Sequence, residues 1–258
     1  MEAVYEIQGS LAKTRNHAAG PWDARFQHGS APAGLLAWAA ERLADGEPMR
    51  LARLTIELWR PVPIAPLTIR TVLLRAGRKI RVAALSLLAD EIEVVHANAV
   101  LVRREPLDLP EKLASENRDV PLPDELPAQS ARRRITCPFL DGVSARRVFP
   151  LDNSLGPAAV WFRFDRPLIE CTINSPAMRA AMAGDFCNGL SAPIDISDWS
   201  FLNCDTSINL AREPEGDWIL VHATTLLGPD GGGVARARLA DAHGYWGISS
   251  QTLIIQRR

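Results

Sequence analysis

Several short motifs of enzymes and metalloproteins are absent from this sequence. Its four cysteines, Cys137, Cys171, Cys187 and Cys204, form no C-x-x-C pair, and its five histidines show no H-E-x-x-H spacing. These absences argue against a zinc site and a disulfide framework, so we expect free thiols and no metal. G-x-S-x-G is also missing, which leaves a serine esterase with a nucleophile elbow without support.

The sequence also lacks a long apolar run and a large net charge. No stretch approaches the roughly 18 apolar residues of a transmembrane helix, and the N-terminus shows no signal-peptide pattern. The net charge is −1, so no strong field would draw the protein to nucleic acid or an anionic membrane. With 47% hydrophobic and 23% charged residues, the composition is that of a globular protein. We expect a cytoplasmic protein without nucleic-acid or membrane partners.

A proline-rich, charged segment divides the chain. Residues 105–134 carry five prolines and show no sustained periodicity, which is typical of a linker or surface crossover. The segments on either side resemble each other at offsets of about 152 residues. The matches are Arg60 with Arg212, Leu88-Ala89-Asp90 with Leu239-Ala240-Asp241, and Asn98 with Gln251. This pattern predicts two diverged copies of one unit, residues 1–104 and 135–258.

Each half contains one strongly apolar helix ahead of its strands. Ser30 is a good N-cap for residues 31–44, and residues 31–40 carry no charge on any face. A helix of this kind must be covered on nearly all sides. The equivalent in the second half is residues 177–190, and no βαβ alternation follows either helix. We therefore predict an α+β fold in which a curved antiparallel sheet wraps around a central helix, twice.

Five segments together resemble the double hot-dog branch of the 4-hydroxybenzoyl-CoA thioesterase superfamily, close to acyl-CoA thioesterase II. They are HGS at 28–30 with its helix, AGDFCNGL at 183–190, FLNCDTSINLAREPEGDW at 201–218, LADAHG at 239–244 and ISSQTLIIQRR at 248–258. The order and spacing of these segments carry the resemblance, because no single one is diagnostic. It implies a double hot-dog fold and metal-free hydrolysis of acyl-CoA in fatty-acid metabolism, with no cofactor beyond the coenzyme A of the substrate.

The resemblance also implies a hydrolytic trio of Asp, Thr and Gln that positions an attacking water. The Asp falls on Asp185 and the Gln on Gln251, whereas the Thr position falls on Asn203, which lacks the hydroxyl. Each residue has a plainer interpretation. Asp185 could stand at a partly exposed helix end, Gln251 on the solvent face of a strand, and Asn203 in a turn.

Four further residues are candidates for substrate binding. His28 and Gly29 would shape the pocket before the first helix without a catalytic role. Trp199 could line an acyl tunnel, although a core aromatic is the safer interpretation. Arg78 could contact the phosphates of coenzyme A, although a solvated basic hairpin is the alternative.

Two other functions stay open on the same scaffold. A non-catalytic acyl-CoA or lipid-binding protein would retain the tunnel without turnover. A hydratase or dehydratase would need an Asp and a His acting together, and no histidine lies near Asp185 in the sequence. Sheet edges left open by this fold commonly pair with a second copy, so a homodimer is a further expectation.

Overall fold

The computed structural model describes residues 1–110, 117–127, 135–152 and 154–258. Three α-helices lie in these ranges: α1 (Ser30–Glu41), α2 (Pro176–Gly184) and α3 (Cys187–Ser191). None of the described helices is long and apolar enough to cross a membrane. The strands are β1 (Tyr5–Gln8), β2 (Leu11–Thr14), β3 (Met49–Leu58), β4 (Leu67–Ala76), β5 (Ile80–Ala89), β6 (Ile92–Arg103), β7 (Val143–Phe149), β8 (Ala158–Phe164), β9 (Trp199–Asn203), β10 (Asp205–Leu210), β11 (Ile219–Leu227), β12 (Gly232–Asp241) and β13 (Gly244–Arg257).

All of these strands belong to one antiparallel sheet. Its order is β1-β2-β4-β5-β6-β3-β10-β13-β12-β11-β8-β7, and β9 pairs with β13 beside this path. The order is symmetrical about the contact between β3 and β10. Read outward from that contact, the strands on one side are β6, β5, β4, β2 and β1. They correspond in order to β13, β12, β11, β8 and β7 on the other side. The predicted antiparallel α+β architecture is confirmed.

The strand register relates the two halves by one constant offset. Thr55 pairs with Ser207 at the centre of the sheet, where their hydroxyls lie 3.3 Å apart. Thr55 also pairs with Asn98, and Ser207 with Ser250, so both positions repeat after 152 residues. The expected match of Asn98 with Gln251 was therefore wrong by one residue. In a strand such a slip moves a side chain to the opposite face.

Irregularities of the sheet repeat at the same offset. The register shifts after Leu87 in the β5–β6 hairpin and after Leu239 in the β12–β13 hairpin. Asp241 therefore corresponds to Ala89, and the Leu-Ala-Asp match was also wrong by one residue. Bulges are local departures from regular pairing that change strand direction, and a shared bulge is strong support for a common unit.

Helix α1 is enclosed on nearly every face, as its composition predicts. Ten of its 12 residues are buried. Its N-cap is Gly29, whereas Ser30 is the first helical residue, so Ser30 was wrongly expected to be the cap. A Cβ on Gly34 would lie 2.8 Å from the side chain of Met182, which explains why α1 can pack closely on α2.

The second apolar helix is not continuous over residues 177–190. It begins with Ser175, whose hydroxyl accepts a hydrogen bond from the backbone N–H of Met178, and with Pro176 at the first helical position. Helix α2 then ends at Gly184, and α3 begins at Cys187. Asp185 therefore lies at the break between two short helices, and the break frees its side chain from the face of a helix.

The crossover segment 105–134 is only partly described. Residues 111–116 and 128–134 lie outside the described residues. Pro123–Glu125 form a short 3₁₀ helix, and the carbonyl oxygen of Pro121 accepts a 3.0 Å hydrogen bond from the indole N–H of Trp161. This contact fixes part of the segment against β8.

An ion pair between Arg212 and Asp241 stabilises the second half. The corresponding first-half residues, Arg60 and Ala89, form no such pair. The guanidinium of Arg212 donates to both carboxylate oxygens of Asp241, at 2.5 and 2.7 Å. The backbone N–H groups of Glu215 and His243 donate to the same carboxylate, each at 2.8 Å. Burial opposes ionisation of Asp241, but the hydrogen bonds from Arg212 and the two backbone groups outweigh it and lower the pKa of the carboxyl.

This geometry predicts the effect of removing the charge. Asp241→Asn should lower the free energy of unfolding by about 2–3 kcal/mol at neutral pH, because the partly buried Arg212 loses its partner. Since the folded-state pKa of Asp241 lies below its unfolded value, the stabilisation is present above about pH 4 and is lost as pH falls further.

Urea unfolding of both proteins between pH 3 and pH 7 measures this effect. Asp90→Asn is the matched control, since Asp90 is exposed in the corresponding turn of the first half and should change stability by less than about 0.5 kcal/mol. A difference between wild type and Asp241→Asn that grew on acidification would contradict the prediction.

Candidate functional site

A cavity of about 550 Å³ opens between residues of the two halves, a size typical of small-molecule sites. The first half contributes the loop before α1 and the end of β3. The second half contributes parts of β7 and β8, the α2–α3 break and the end of β9. Most of the lining is apolar or aromatic, including Trp22, Phe26, Leu58, Trp59, Val62, Val160, Phe162, Phe186 and Leu190.

Asp185 is the buried carboxylate of this cavity. Its exposed fraction is 6%, and it lines the cavity from the α2–α3 break. An ionised carboxylate removed from water is costly unless hydrogen bonds compensate for the lost solvent. The arrangement around Asp185 supplies them, and it differs for the two carboxylate oxygens.

The Oδ1 atom of Asp185 accepts hydrogen bonds from three polar side chains. Asn203 donates through Nδ2 at 3.1 Å, Gln251 through Nε2 at 3.3 Å, and Thr206 through Oγ1 at 3.4 Å. The Thr206 hydroxyl also accepts from Asn203 at 3.1 Å and from Gln251 at 3.2 Å. The three sequence candidates Asp185, Asn203 and Gln251 thus lie together, with Thr206 at the centre of their contacts.

The Oδ2 atom of Asp185 faces the beginning of α1. The hydroxyl of Ser30 donates to it at 3.1 Å, and Nδ1 of His28 lies 3.4 Å away. A Cβ on Gly29 would lie 2.7–2.8 Å from the two carboxylate oxygens, so only glycine permits this approach. The carboxylate therefore lies against the positive end of the helix dipole.

Gln251 reaches Asp185 from behind rather than from the cavity. It is 1% exposed and does not line the cavity. Its Oε1 accepts from the backbone N–H of Asn188 at 3.0 Å, and its Nε2 also donates to the carbonyl oxygen of Asp185 at 3.1 Å. Both ends of the amide are therefore engaged within the protein, and Gln251 fixes Asp185.

Neighbouring strands explain how these side chains converge. Thr206 and Gln251 are cross-strand neighbours on β10 and β13, one position beyond the Ser207–Ser250 pair. Asn203 ends β9, and the chain enters β10 two residues later, at Asp205. The carboxylate of Asp205 accepts a hydrogen bond from the backbone N–H of Thr252, which holds the junction of β9 and β10 against β13.

The equivalent place in the first half is apolar. The constant offset makes Ala99 the counterpart of Gln251 and Leu54 the counterpart of Thr206. Both first-half residues are fully buried. No partner is available there for a buried carboxylate, so the first half is expected to have no site of this kind.

Three residues of the cluster were not assigned to it from the sequence. Thr206 lies three positions after Asn203, and the alternation of β10 was a usable signal, because its buried residues include Thr206 and Ile208. Ser30 was expected only as a helix cap. His28 lies beside Asp185 in space although the two are 157 positions apart, so an Asp–His pair does exist in the described structure.

Two substrate-binding candidates lie outside the cavity. Trp199, on β9, packs its ring against Arg257. Arg78 is exposed in the turn between β4 and β5. Neither residue contributes to the cavity wall, whereas Arg60 and Arg147 do. His28 and Gly29 line the cavity.

The thiols of the cysteines near Asp185 are poor nucleophiles. Burial raises the pKa of the Cys187 thiol to about 12, so it stays protonated at neutral pH. Burial also raises the pKa of Cys204, which lines the cavity. Within the described ranges, no group of three or more His, Cys, Asp and Glu side chains is arranged to hold a metal ion.

Sequence comparison identifies both halves. The profile of the acyl-CoA thioesterase N-terminal domain matches residues 18–102, and that of the acyl-CoA thioesterase C-terminal domain matches residues 115–255. Together these matches span most of the chain. No curated protein matches this sequence.

Solved structures resemble this chain over nearly its whole length. Acyl-CoA thioesterase II TesB2 from Mycobacterium marinum is 14% identical, with a TM-score of 0.69 over 98% of this chain and 94% of that one. A conserved protein with a hot-dog fold from Alicyclobacillus acidocaldarius is 18% identical, with a TM-score of 0.70 over 98% and 95%. At these identities the likeness establishes the fold alone, which is the hot-dog fold.

The contacts of Thr206 predict a distinct effect on stability. Thr206→Val should lower the free energy of unfolding by about 1–3 kcal/mol, because the half-buried amide of Asn203 and the buried amide of Gln251 lose an acceptor. Thr206→Ser should restore most of that loss, since it keeps the hydroxyl. Urea unfolding at pH 7 measures both variants. Equal free energies of unfolding for the Val and Ser variants would show that the Thr206 hydroxyl does not contribute to stability.

Proposed function

The chain belongs to the acyl-CoA thioesterase family, and from this premise we propose that it hydrolyses acyl-CoA thioesters with Asp185 as the general base. The single observation that carries the proposal is the position of the Asp185 carboxylate in the wall of an apolar cavity, against the N-terminus of α1. An apolar cavity suits an acyl chain, and a carboxylate held there can accept a proton from water.

The unequal hydrogen bonding of the carboxylate supports Oδ2 as the basic atom. Oδ1 faces three donors, from Asn203, Thr206 and Gln251, whereas Oδ2 accepts from Ser30 alone. A carboxylate oxygen offers about two acceptor sites, so Oδ2 retains capacity for a water. General base catalysis of this kind supplies about 10²–10⁴-fold in rate.

The proposed reaction needs no covalent enzyme intermediate. Asp185 takes a proton from water while the water oxygen bonds to the thioester carbon, and the carbonyl electron pair moves onto oxygen. The backbone N–H of Gly29 at the start of α1 is suited to stabilise that oxyanion. When the intermediate collapses, the C–S bond breaks and the thiolate takes the proton back from Asp185. The products are a carboxylic acid and coenzyme A.

The other cluster residues hold the base in place. Asn203 lines the cavity and can contact the water as well as Asp185. Gln251 and Thr206 lie behind the carboxylate and orient it. The hydroxyl that the family pattern places at position 203 is replaced here by Asn203, and Thr206 provides a hydroxyl to the same carboxylate oxygen.

We assign the anionic part of the substrate to the cations of the cavity wall. Arg60 and Arg147 both line the cavity, whereas Arg78 does not. Arg60 is exposed, while its second-half counterpart Arg212 is bound to Asp241. The guanidinium of Arg60 makes no hydrogen bond to the described residues, so its donors suit the phosphate groups of coenzyme A.

The proposal includes the finer architecture and setting. Residues 1–104 and 135–258 would be two hot-dog units joined by residues 105–134, in agreement with the repeat of 152 positions. We further propose metal-independent action in the cytoplasm, within fatty-acid metabolism, with association of two copies through open sheet edges.

Two alternative functions can be distinguished from thioester hydrolysis by measuring thiol release and ultraviolet absorbance. A non-catalytic acyl-CoA-binding protein would bind the substrate and release no thiol. A hydratase is a second candidate because His28 lies 3.4 Å from Asp185. A hydratase would add water to the double bond of a conjugated enoyl-CoA, so the ultraviolet absorbance would fall while no thiol is released. Thiol release from saturated acyl-CoAs of several chain lengths, unchanged after dialysis against a chelator, supports the thioesterase.

Asp185→Asn tests the proposed base directly. The substitution keeps the shape of the side chain and one acceptor oxygen but removes the proton acceptor, so kcat should fall by about 10²-fold or more while KM changes little. Thermal unfolding of the same preparation controls for misfolding. Near-normal kcat in a folded Asp185→Asn protein would leave the mechanism without its base.

Arg60→Gln tests the proposed phosphate contact. The variant should raise KM for acyl-CoA about tenfold, because a charge-assisted hydrogen bond is lost, with little change in kcat. The same acyl group on N-acetylcysteamine has no phosphate and should show no such increase. Arg78→Gln is the matched control and should behave like wild type. An equal increase in KM for both thioesters would assign Arg60 to the acyl side instead.

A further inference from the structure

His28 is held rigidly at the start of α1. Its ring stacks on Phe139 with centroids 4.9 Å apart and planes 20° from parallel, and Phe186 lies against it at 5.4 Å. Its backbone N–H donates to the carbonyl oxygen of Ala18 at 2.8 Å. Side chain and backbone are therefore both fixed, and the direction of each ring nitrogen is set.

The proton on the ring is assigned by a backbone contact. The N–H of Ser30 donates to Nδ1 of His28 at 3.2 Å. A backbone N–H is always a donor, so Nδ1 must be the acceptor and cannot carry a proton in this arrangement. The ring is then neutral, and its proton lies on Nε2.

Ser30 also explains how a neutral imidazole can lie beside a carboxylate. Its backbone N–H donates to Nδ1 of His28, and its hydroxyl donates to Oδ2 of Asp185 at 3.1 Å. The two acceptors, which lie 3.4 Å apart, each accept a separate hydrogen bond from the same residue. No proton needs to be shared between His28 and Asp185.

The Nε2 atom of His28 is available to a ligand. It makes no hydrogen bond to the described part of the protein, and it is not among the buried polar atoms that lack a partner. Because His28 lines the cavity and its side chain is 12% exposed, Nε2 borders open space in the cavity. A neutral N–H donor thus lies on the same cavity wall as the basic Oδ2 of Asp185.

We propose that His28 is a catalytic residue whose Nε2–H donates a hydrogen bond to the thioester carbonyl oxygen, together with the backbone N–H of Gly29. This inference rests on the proposed thioester hydrolysis and adds a side-chain donor to it. A neutral imidazole held at a helix N-terminus is well suited to polarise a carbonyl, because its Nε2–H strengthens its hydrogen bond as charge develops on oxygen. Asp185 would take the proton of water, and His28 would stabilise the oxyanion.

Two amide substitutions separate this role from a structural one. In His28→Gln the side-chain amide N–H reaches about the position of Nε2, so the donor to the substrate is kept and the acceptor for Ser30 is lost. In His28→Asn the amide oxygen lies near the position of Nδ1, so the acceptor is kept and the cavity donor is lost. His28→Gln therefore tests the ring with only its donor kept, and His28→Asn tests it with only its acceptor kept.

The expected kinetic result follows from the loss of one oxyanion donor. His28→Asn should lower kcat about 10²–10³-fold with KM little changed, whereas His28→Gln should stay within about tenfold of wild type. The reverse order, with Asn active and Gln impaired, would show that His28 only accepts from Ser30. Equal losses, or no loss in either variant, would also overturn the proposal.

The tautomer can be measured without any activity. Two-bond ¹H–¹⁵N spectra of the imidazole, assigned to His28 by comparison with His28→Asn, should show an unprotonated Nδ1 and a protonated Nε2 at pH 7.5. An imidazolium or an Nδ1–H form would overturn the donor assignment. If wild type released no thiol from any acyl-CoA, the proposed function would fail, and the spectra would still decide the protonation of His28.

Discussion

A carboxylate that is taken out of water must be compensated by hydrogen bonds, and the packing around Asp185 follows from that requirement. Its donors come from both halves of the chain. Ser30 belongs to α1 in the first half, and Asn203, Thr206 and Gln251 belong to the second. The carboxylate therefore couples the helix of one half to the strands of the other.

The same requirement explains why, among the described residues, the polar cluster around Asp185 has no counterpart in the first half. An offset of 152 residues relates strand positions throughout the central sheet, yet Ala99 and Leu54 occupy the places of Gln251 and Thr206. With those two side chains apolar, a carboxylate in the first half would be buried without partners, at a cost of several kcal/mol. The asymmetry also extends to Arg60, whose counterpart Arg212 is bound to Asp241.

Sequence patterns predicted the architecture well and the contacts only in part. The charge-free run 31–40 predicted an enclosed helix, and residue matches predicted an offset close to the 152 positions that relate the strand registers. Those matches erred by one position at Asn98, because letters alone do not reveal a register that bulges and cross-strand hydrogen bonds set. Asp185, Asn203 and Gln251 came from a family resemblance. Periodicity could not add His28 and Ser30, since they meet Asp185 only through the packing of α1 on α2.

The position of α1 has a chemical consequence beyond packing. Gly29 allows the helix N-terminus to approach the carboxylate, where a Cβ would lie within 2.8 Å of both oxygens. That approach places the carboxylate beside the positive end of the helix dipole. In the proposed reaction the same helix start would offer donors to the substrate, from Gly29 and from His28. Charge lost from Asp185 on proton transfer would then be replaced by charge on the oxyanion, so the positive helix end would face one negative charge before and during the reaction. In that mechanism the electrostatic cost of moving charge from enzyme to substrate is small.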